Sequence, residues 1–350
     1  MTYTQGKSRI ALALGAALAV GLAACAAPPP SSSSTSNTTN TTNNATQKLN
    51  VVSTVSPVAN IIYNIGGERI TLTGIVPEGV NSHTFEPAPS DARKLADADL
   101  IFINGLKLEE PTLRMAEANK KAGAEIILLG DRTITPDEYM YDFSFPKDAG
   151  SPNPHLWPNP MLSLKYAEIA RDELIKRDAA GADYYNKNYD AFKLRIEALD
   201  QAIKQTVESI PAENRKLLTY HDSFAYFAPR YGMTVIGAIQ PADFSEPSAR
   251  EVAELITQLR NEKVPAIFGS EVFPSTVLDQ IGKEAGVQFI DTLRDDDLPG
   301  KPGENEHSYI GLMVNNVKTM ARVLGGNPAL MDSVDTSNVT GVDAAVQQAQ

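Results

Sequence analysis

The side chains best suited to chemistry are few and far apart. The chain has 350 residues, with four histidines and one cysteine. His83 lies in Gly79–Glu109, a stretch that opens after a β-like run, Ile70–Val76. His155 sits in Asn153-Pro154-His155-Leu156-Trp157-Pro158-Asn159-Pro160, where three prolines hold the backbone out of helix and sheet. His221 ends the run Lys216–Tyr220, and Asp291 follows the run Val287–Ile290. Ligands of open α/β sheets collect beyond the carboxyl ends of the strands. Three neutral imidazoles and one carboxylate there can fill the shell of a divalent transition metal, Zn²⁺ above all. Read alone, His83 is a surface histidine in a turn. Four scattered residues have no spacing signature, so the pattern leaves both readings open.

The elements that must position these residues alternate. Strand signals at Leu49–Val52, Ile70–Val76, Leu100–Ile103 and Glu125–Leu129 are separated by helix-like runs at Val58–Ile65, Ser90–Ala98 and Pro111–Ala122. This order indicates an α/β fold with a parallel sheet covered on both faces. A long loop, Gly130–Asn153, leads to the His155 segment, and Asn159-Pro160 reads as an N-cap followed by proline at the first helical position. From Ala182 to Ser209 one apolar stripe (Tyr185, Tyr189, Phe192, Ile196, Leu199, Ile203, Val207) advances by three or four residues. A helix of this length, about 42 Å, exceeds what one sheet needs and reads as a connector between two lobes. A second α/β series follows: strands at Lys216–Tyr220, Met233–Ile239, Ala266–Phe268 and Val287–Ile290, a helix at Ser223–Tyr231, and a capping box, Ser248 to Glu251, before Val252. The expected division is 1–24 signal peptide, 25–47 tether, 48–180 first lobe, 181–210 linker helix, 211–327 second lobe and 328–350 a loose tail.

The amino terminus bounds the location. Lys7 and Arg9 precede an apolar run, Ile10–Ala23, that is too short for a comfortable membrane span and reads as a secretory signal. It ends Leu22-Ala23-Ala24-Cys25, which resembles a bacterial lipobox, so Cys25 is the expected lipidation site and membrane anchor. A single cysteine used in this way leaves no disulfide and no Cys-based metal site. Residues 26–47 are rich in Pro, Ser, Thr and Asn and form a flexible tether with a mean reach of roughly 25 Å. The 31 basic residues against 43 acidic ones fall to 29 against 43 once Lys7 and Arg9 are removed. That balance argues against nucleic acid as a partner.

The stretches SHTFEPAPSDARKLADADLIFINGLKLE, NPHLWPNP, TYHDSFAYFAPRYG, FSEPSAREVAEL and FIDTL carry a close resemblance. They resemble the solute-binding lipoproteins of ABC importers for zinc and manganese, over about Leu49–Leu324. The resemblance implies two α/β lobes joined by a long rigid helix, with the metal between them bound by His83, His155, His221 and Asp291. It implies an exported, lipid-anchored monomer that hands the ion to a permease and its ATPase. Family members tuned to manganese tend to have Glu at the third ligand position, and zinc members His; this chain has His221. Many zinc members carry a His-rich loop in the first lobe, and Gly130–Asn153 has none, which leaves Mn²⁺ open beside Zn²⁺.

Other residues carry weaker signals. Glu246 suits either an orienting role behind an imidazole or a solvated charge. His307 reads as a surface residue and Asp295-Asp296-Asp297 as a solvated loop. Glu271 follows a strand, but the resemblance favours Asp291, and Trp157 reads as packing around the His155 loop. The competing function is a zinc hydrolase, although a fourth protein ligand would close the position that a catalytic water needs and the chain has neither HExxH nor GxSxG. An adhesin does not account for three matched histidines, and a siderophore or cobalamin carrier needs a larger pocket.

Overall fold

A computed structural model describes residues 48–240, 245, 247–272, 276–341 and 346–348, without the side chains of 276, 292 and 346–348. The signal segment, Cys25, the tether and Glu246 lie outside the described residues.

The first series runs β1 (Leu49–Ser53), α1 (Ser56–Gly66), β2 (Ile70–Gly74), α2 (Asp91–Asp97), β3 (Leu100–Ile103), α3 (Glu110–Asn119), β4 (Glu125–Leu128) and α4 (Leu129–Thr133). Two long helices follow, α5 (Pro160–Arg177) and α6 (Ala182–Glu208). The second series runs β5 (Lys216–Thr219), α7 (Phe227–Tyr231), β6 (Thr234–Ala238), α8 (Ala249–Glu262), β7 (Ala266–Ser270), α9 (Thr276–Ala285), β8 (Gln288–Leu293) and α10 (Tyr309–Leu324). Val346–Gln348 forms β9. The strands make two parallel sheets, ordered β4-β3-β1-β2-β9 and β6-β5-β7-β8. Each sheet reverses its winding beside its first strand, between β1 and β3 and between β5 and β7, which is where such sheets form a ligand crevice.

Local chemistry explains the ends of the helices. The Asn159 side chain accepts from the Met161 amide at 3.1 Å, and Pro160 opens α5 where no amide is needed. Ser248 and Glu251 form the expected capping box on α8. All seven residues of the α6 stripe are buried. Removing each such side chain from water is worth about 1.5–3 kcal/mol before the entropy of ordering is counted. The helix is also pinned to both series. Tyr185 shares Asp178 with Arg69 of the first, and Asp200 takes two 2.7 Å bonds from Arg230 of α7 and one from Tyr231.

Three local expectations need correction. The expected helix Ser223–Tyr231 is only Phe227–Tyr231, because the preceding amides turn back on His221 and Asp222: Ser223 donates to the His221 carbonyl and Phe224 to Asp222 Oδ1. The expected strand Val287–Ile290 runs on to Leu293, since β7 offers pairing partners as far as Ser270. The tail is not loose throughout: β9 pairs with β2, Asn338 accepts from Asn64, and Arg195 holds Asp335 and the Ser337 carbonyl.

Candidate metal centre

His155 is the most firmly held of the candidate ligands. Its loop is fixed from the residue that follows β3: Asn104 Nδ2 donates to the Pro154 carbonyl at 3.0 Å and Asn104 Oδ1 accepts from Tyr166 OH at 2.6 Å. Asn153 Oδ1 then accepts from both the backbone amide and Nδ1 of His155, each at 2.9 Å. Donation from Nδ1 selects the tautomer whose Nε2 carries a lone pair, so that nitrogen is presented as a metal ligand. The next ring, Trp157, is fully buried, stands 5.0 Å from His155 between centroids, and donates from Nε1 to the Asp295 carbonyl.

His83 is held differently. Its amide donates to Asn81 Oδ1 at 2.9 Å, a local turn, but the rest of its loop is clamped by the second series. Asp297 accepts from the Gly79 amide and Asp296 from the Ser82 amide, at 2.9 and 3.0 Å. Glu271 organises that acidic loop by accepting the amides of Asp295, Asp296 and Asp297. His221 follows β5, next to the reversal of the second sheet, with the Gln240 side chain facing its ring.

These three imidazoles converge. His155 Nε2 lies 3.0 Å from His83 Nε2 and 3.2 Å from His221 Nε2. The ring centroids are 4.9, 4.6 and 4.7 Å apart, and all three candidate donor atoms lie within 4.8 Å of one another. Burial lowers the pKa of all three rings, His221 to about 3, and mutual repulsion lowers His83 and His155 further. Each ring is therefore neutral at pH 7, the form that ligates metal. Nitrogens bonded to one ion at 2.0–2.1 Å stand about 3.3 Å apart in a tetrahedral shell and about 3.0 Å apart on one face of an octahedral one. The observed spacing fits a metal ion in either shell.

The other sequence candidates are placed as follows. Asp291 lies within β8, exposed, and does not belong to the histidine group. The longer strand accounts for this, since it makes Asp291 a strand residue and not the first residue of a loop. Asp295, Asp296 and Asp297 are not a solvated loop: all three are buried. Their backbone and carboxylate partners come from Glu271, Ser270 and the His83 loop, and burial pushes Asp295 and Asp296 up to about 7. His307 is 5 % exposed, with Nδ1 on the Pro299 carbonyl and Nε2 3.6 Å from Glu78, so it is not a surface residue. Sequence reasoning passed over Asn153, Gln240 and Phe145. Asn153 had a readable signal in its position two residues before His155. The other two reach the site only through the fold.

The family described as "ZnuA: Zinc-uptake complex component A periplasmic" matches residues 51–323. The chain belongs to this family. Among curated relatives, the manganese ABC transporter substrate-binding lipoprotein PsaA of Streptococcus pneumoniae is 32 % identical over 89 % of this chain and 97 % of its own length. The iron-binding protein YfeA of Yersinia pestis is 31 % identical over 80 % of this chain and 87 % of its own. Among solved structures, the periplasmic zinc binding protein TroA of Treponema pallidum superposes with a TM-score of 0.71 and 26 % identity, covering 79 % of this chain and 99 % of its own. Membership makes this chain a metal-binding, substrate-binding component of the ABC-importer type, a transport protein and not an enzyme. Among the described residues, no helix is long and apolar enough to cross a membrane.

Proposed function

We propose that the protein captures Zn²⁺ outside the cell's inner membrane and delivers it to an ABC permease powered by its ATPase. The observation that carries this reading is the convergence of three neutral Nε2 atoms at 3.0 and 3.2 Å. Three imidazoles suit a borderline ion such as Zn²⁺, whereas Mn²⁺ prefers more oxygen. The ligands are His83, His155 and His221. Asp291 is the proposed fourth; it stands outside the histidine group and joins the shell when its carboxylate is brought toward the imidazoles. Cys25 carries the lipid that keeps a monomer at the membrane, and residues 25–47 are its tether.

Mn²⁺ is the second reading. It is supported by the octahedral fit of the same spacing and by relatives named for manganese. Metal analysis after competition between Zn²⁺ and Mn²⁺ tests the choice, with Zn²⁺ expected in the purified chain. His155→Ala is expected to abolish tight binding, and Asp291→Ala to weaken it while leaving the three-nitrogen site able to bind. Unchanged affinity in His155→Ala would end the reading of this site.

A further inference from the structure

His83 belongs to the first series by sequence, yet its loop is bonded to the second. Asp297 Oδ1 and Oδ2 both accept from the Gly79 amide at 2.9 Å, and Asp296 Oδ2 accepts from the Ser82 amide at 3.0 Å. Two buried carboxylates thus bracket the four residues that lead into His83. Gly79 suits its place, since its φ of 79° lies in the left-handed region that favours glycine.

The two aspartates are themselves placed by one side chain. Glu271 follows β7 directly, beside the winding reversal of the second sheet. Its Oε1 accepts the amides of Asp295, Asp296 and Asp297 at 3.1, 3.1 and 2.9 Å. Successive amides that converge on one oxygen fix the backbone of the whole acidic run, and with it the origin of each carboxylate. Ser270 Oγ adds a bond to Asp295 Oδ1 at 2.9 Å, and the Asp295 carbonyl accepts from Trp157. His155 depends on this unit less than His83 does, because Asn153 and Asn104 hold its loop from the first lobe.

We propose that Glu271 is a positioning residue for metal capture: acting through Asp296 and Asp297, it fixes His83 to the second lobe, so that this ligand is held with His221 and opposite His155. The proposal rests on the three histidines being the ligands and deepens that reading. An ion bound by three imidazoles needs all three nitrogens in place at once. His83 Nε2 now stands 3.0 Å from His155 Nε2. A His83 loop released from the acidic run must be ordered again each time metal binds, and that ordering costs affinity.

The test reads Zn²⁺ affinity of the full chain by chelator competition. Glu271→Ala should weaken it about tenfold. Glu271→Gln keeps an oxygen at the centre of the three amides and should stay close to the parent. Burial, and then the charge of Asp295, already push the Glu271 carboxyl well above the usual carboxylate range, toward the neutral form that Gln imitates. Asp296→Ala removes the bond to Ser82, and combining it with Glu271→Ala should lose no more than Glu271→Ala alone, because both act along one line. If Glu271→Ala does not fold, Asp296→Ala carries the same expectation, with Asp296→Asn as its rescue, since the Asn oxygen still accepts from Ser82. In Zn²⁺-loaded protein with ¹⁵N-labelled histidines, the His83 ring signals should change more than those of His155. Equal changes at the two rings would mean general loosening and would overturn the proposal. Parent-like affinity in Glu271→Ala and Asp296→Ala, with binding lost in His83→Ala, would overturn the role of Glu271 alone. An affinity unchanged by His83→Ala would overturn the ligand set beneath it.

Discussion

The two sheets share one topology but not one kind of core. The first sheet packs with α1, α5, α6 and α10 into a single large apolar cluster. The second sheet is a wall between two clusters. On β5, Leu217 points into the large cluster and Leu218 into a small separate one; on β7, Phe268 and Ile267 divide in the same way. The small cluster lies under α8 and α9 and holds Leu218, Tyr220, Ile239, Ile256, Leu259, Val264, Ile267, Leu278 and Ile281. Strand alternation produces this division, because successive side chains leave opposite faces. His155 therefore stands on the deep core, braced by Asn104, Tyr166 and Trp157. Asp291 stands on the edge strand of the outer layer. The difference teaches that the site has a stiff corner in the first lobe and a thinly supported margin in the second, where movement is cheaper.

The largest expected effects come from cutting into the two cores. Ile62→Ala in the large cluster and Leu278→Ala in the small one should each cost about 2–5 kcal/mol of local packing, since both residues are fully buried. The comparison predicts different reach. Ile62→Ala should lower hydrogen-exchange protection throughout both lobes, whereas Leu278→Ala should lower it mainly in α8 and α9. If Leu278→Ala loosens α1 and α5 to the same degree, the outer layer is not a separate unit and the asymmetry fails.

A smaller effect is expected at the orienting partners. Asn153→Ala removes the acceptor that sets the His155 tautomer and should weaken metal affinity by about 10–100-fold. Asn153 also bridges Asp142 and the Asp222 carbonyl, so its loss reaches beyond a single imidazole, while Gln240 faces His221. Gln240→Ala should therefore cost less than Asn153→Ala in a chelator-competition titration. Equal losses would mean that the first-lobe corner is no stiffer than the second.

Much of this architecture was legible from pattern. Strict alternation of short strands and helices gave two parallel sheets, the spacing of the α6 stripe gave the long helix, and Ser248 with Glu251 marked the start of α8. The three histidines were legible because prolines and strand ends isolate them. What escaped notice depends on partners distant in sequence. Three consecutive aspartates look solvated because burying carboxylates is costly without donors. The donors to Asp297 and Asp296 are amides of Gly79 and Ser82, 218 and 214 residues away, which no local pattern reveals. Asp291 was read as a loop residue because the continuation of β8 depends on β7. Phe145 looks like any loop aromatic until the fold sets it against three imidazoles.

The subtlest expected effect lies at the seam between the lobes, where Asp142 of the first faces Asp222 of the second. Burial, and then the charge of Asp142, push the Asp222 carboxyl up to about 8, against an unfolded value near 4. Between those values the folded chain binds more protons than the unfolded one. The contribution of Asp222 to stability is therefore complete below about pH 4 and is lost as pH rises through about 8. The site histidines act in the opposite sense. Their folded pKa values are depressed, so unfolded rings near 6.5 take up protons first, and stability falls as pH drops below that point. Asp222→Asn removes only the carboxyl component. In chelator-treated protein unfolded by urea, the gain of the variant over the parent should be small at pH 5, just above the point where the unfolded carboxyl ionises, and several-fold larger at pH 9. A gain of equal size at both values would mean that Asp222 acts through packing, and that the seam between the lobes carries no buried charge.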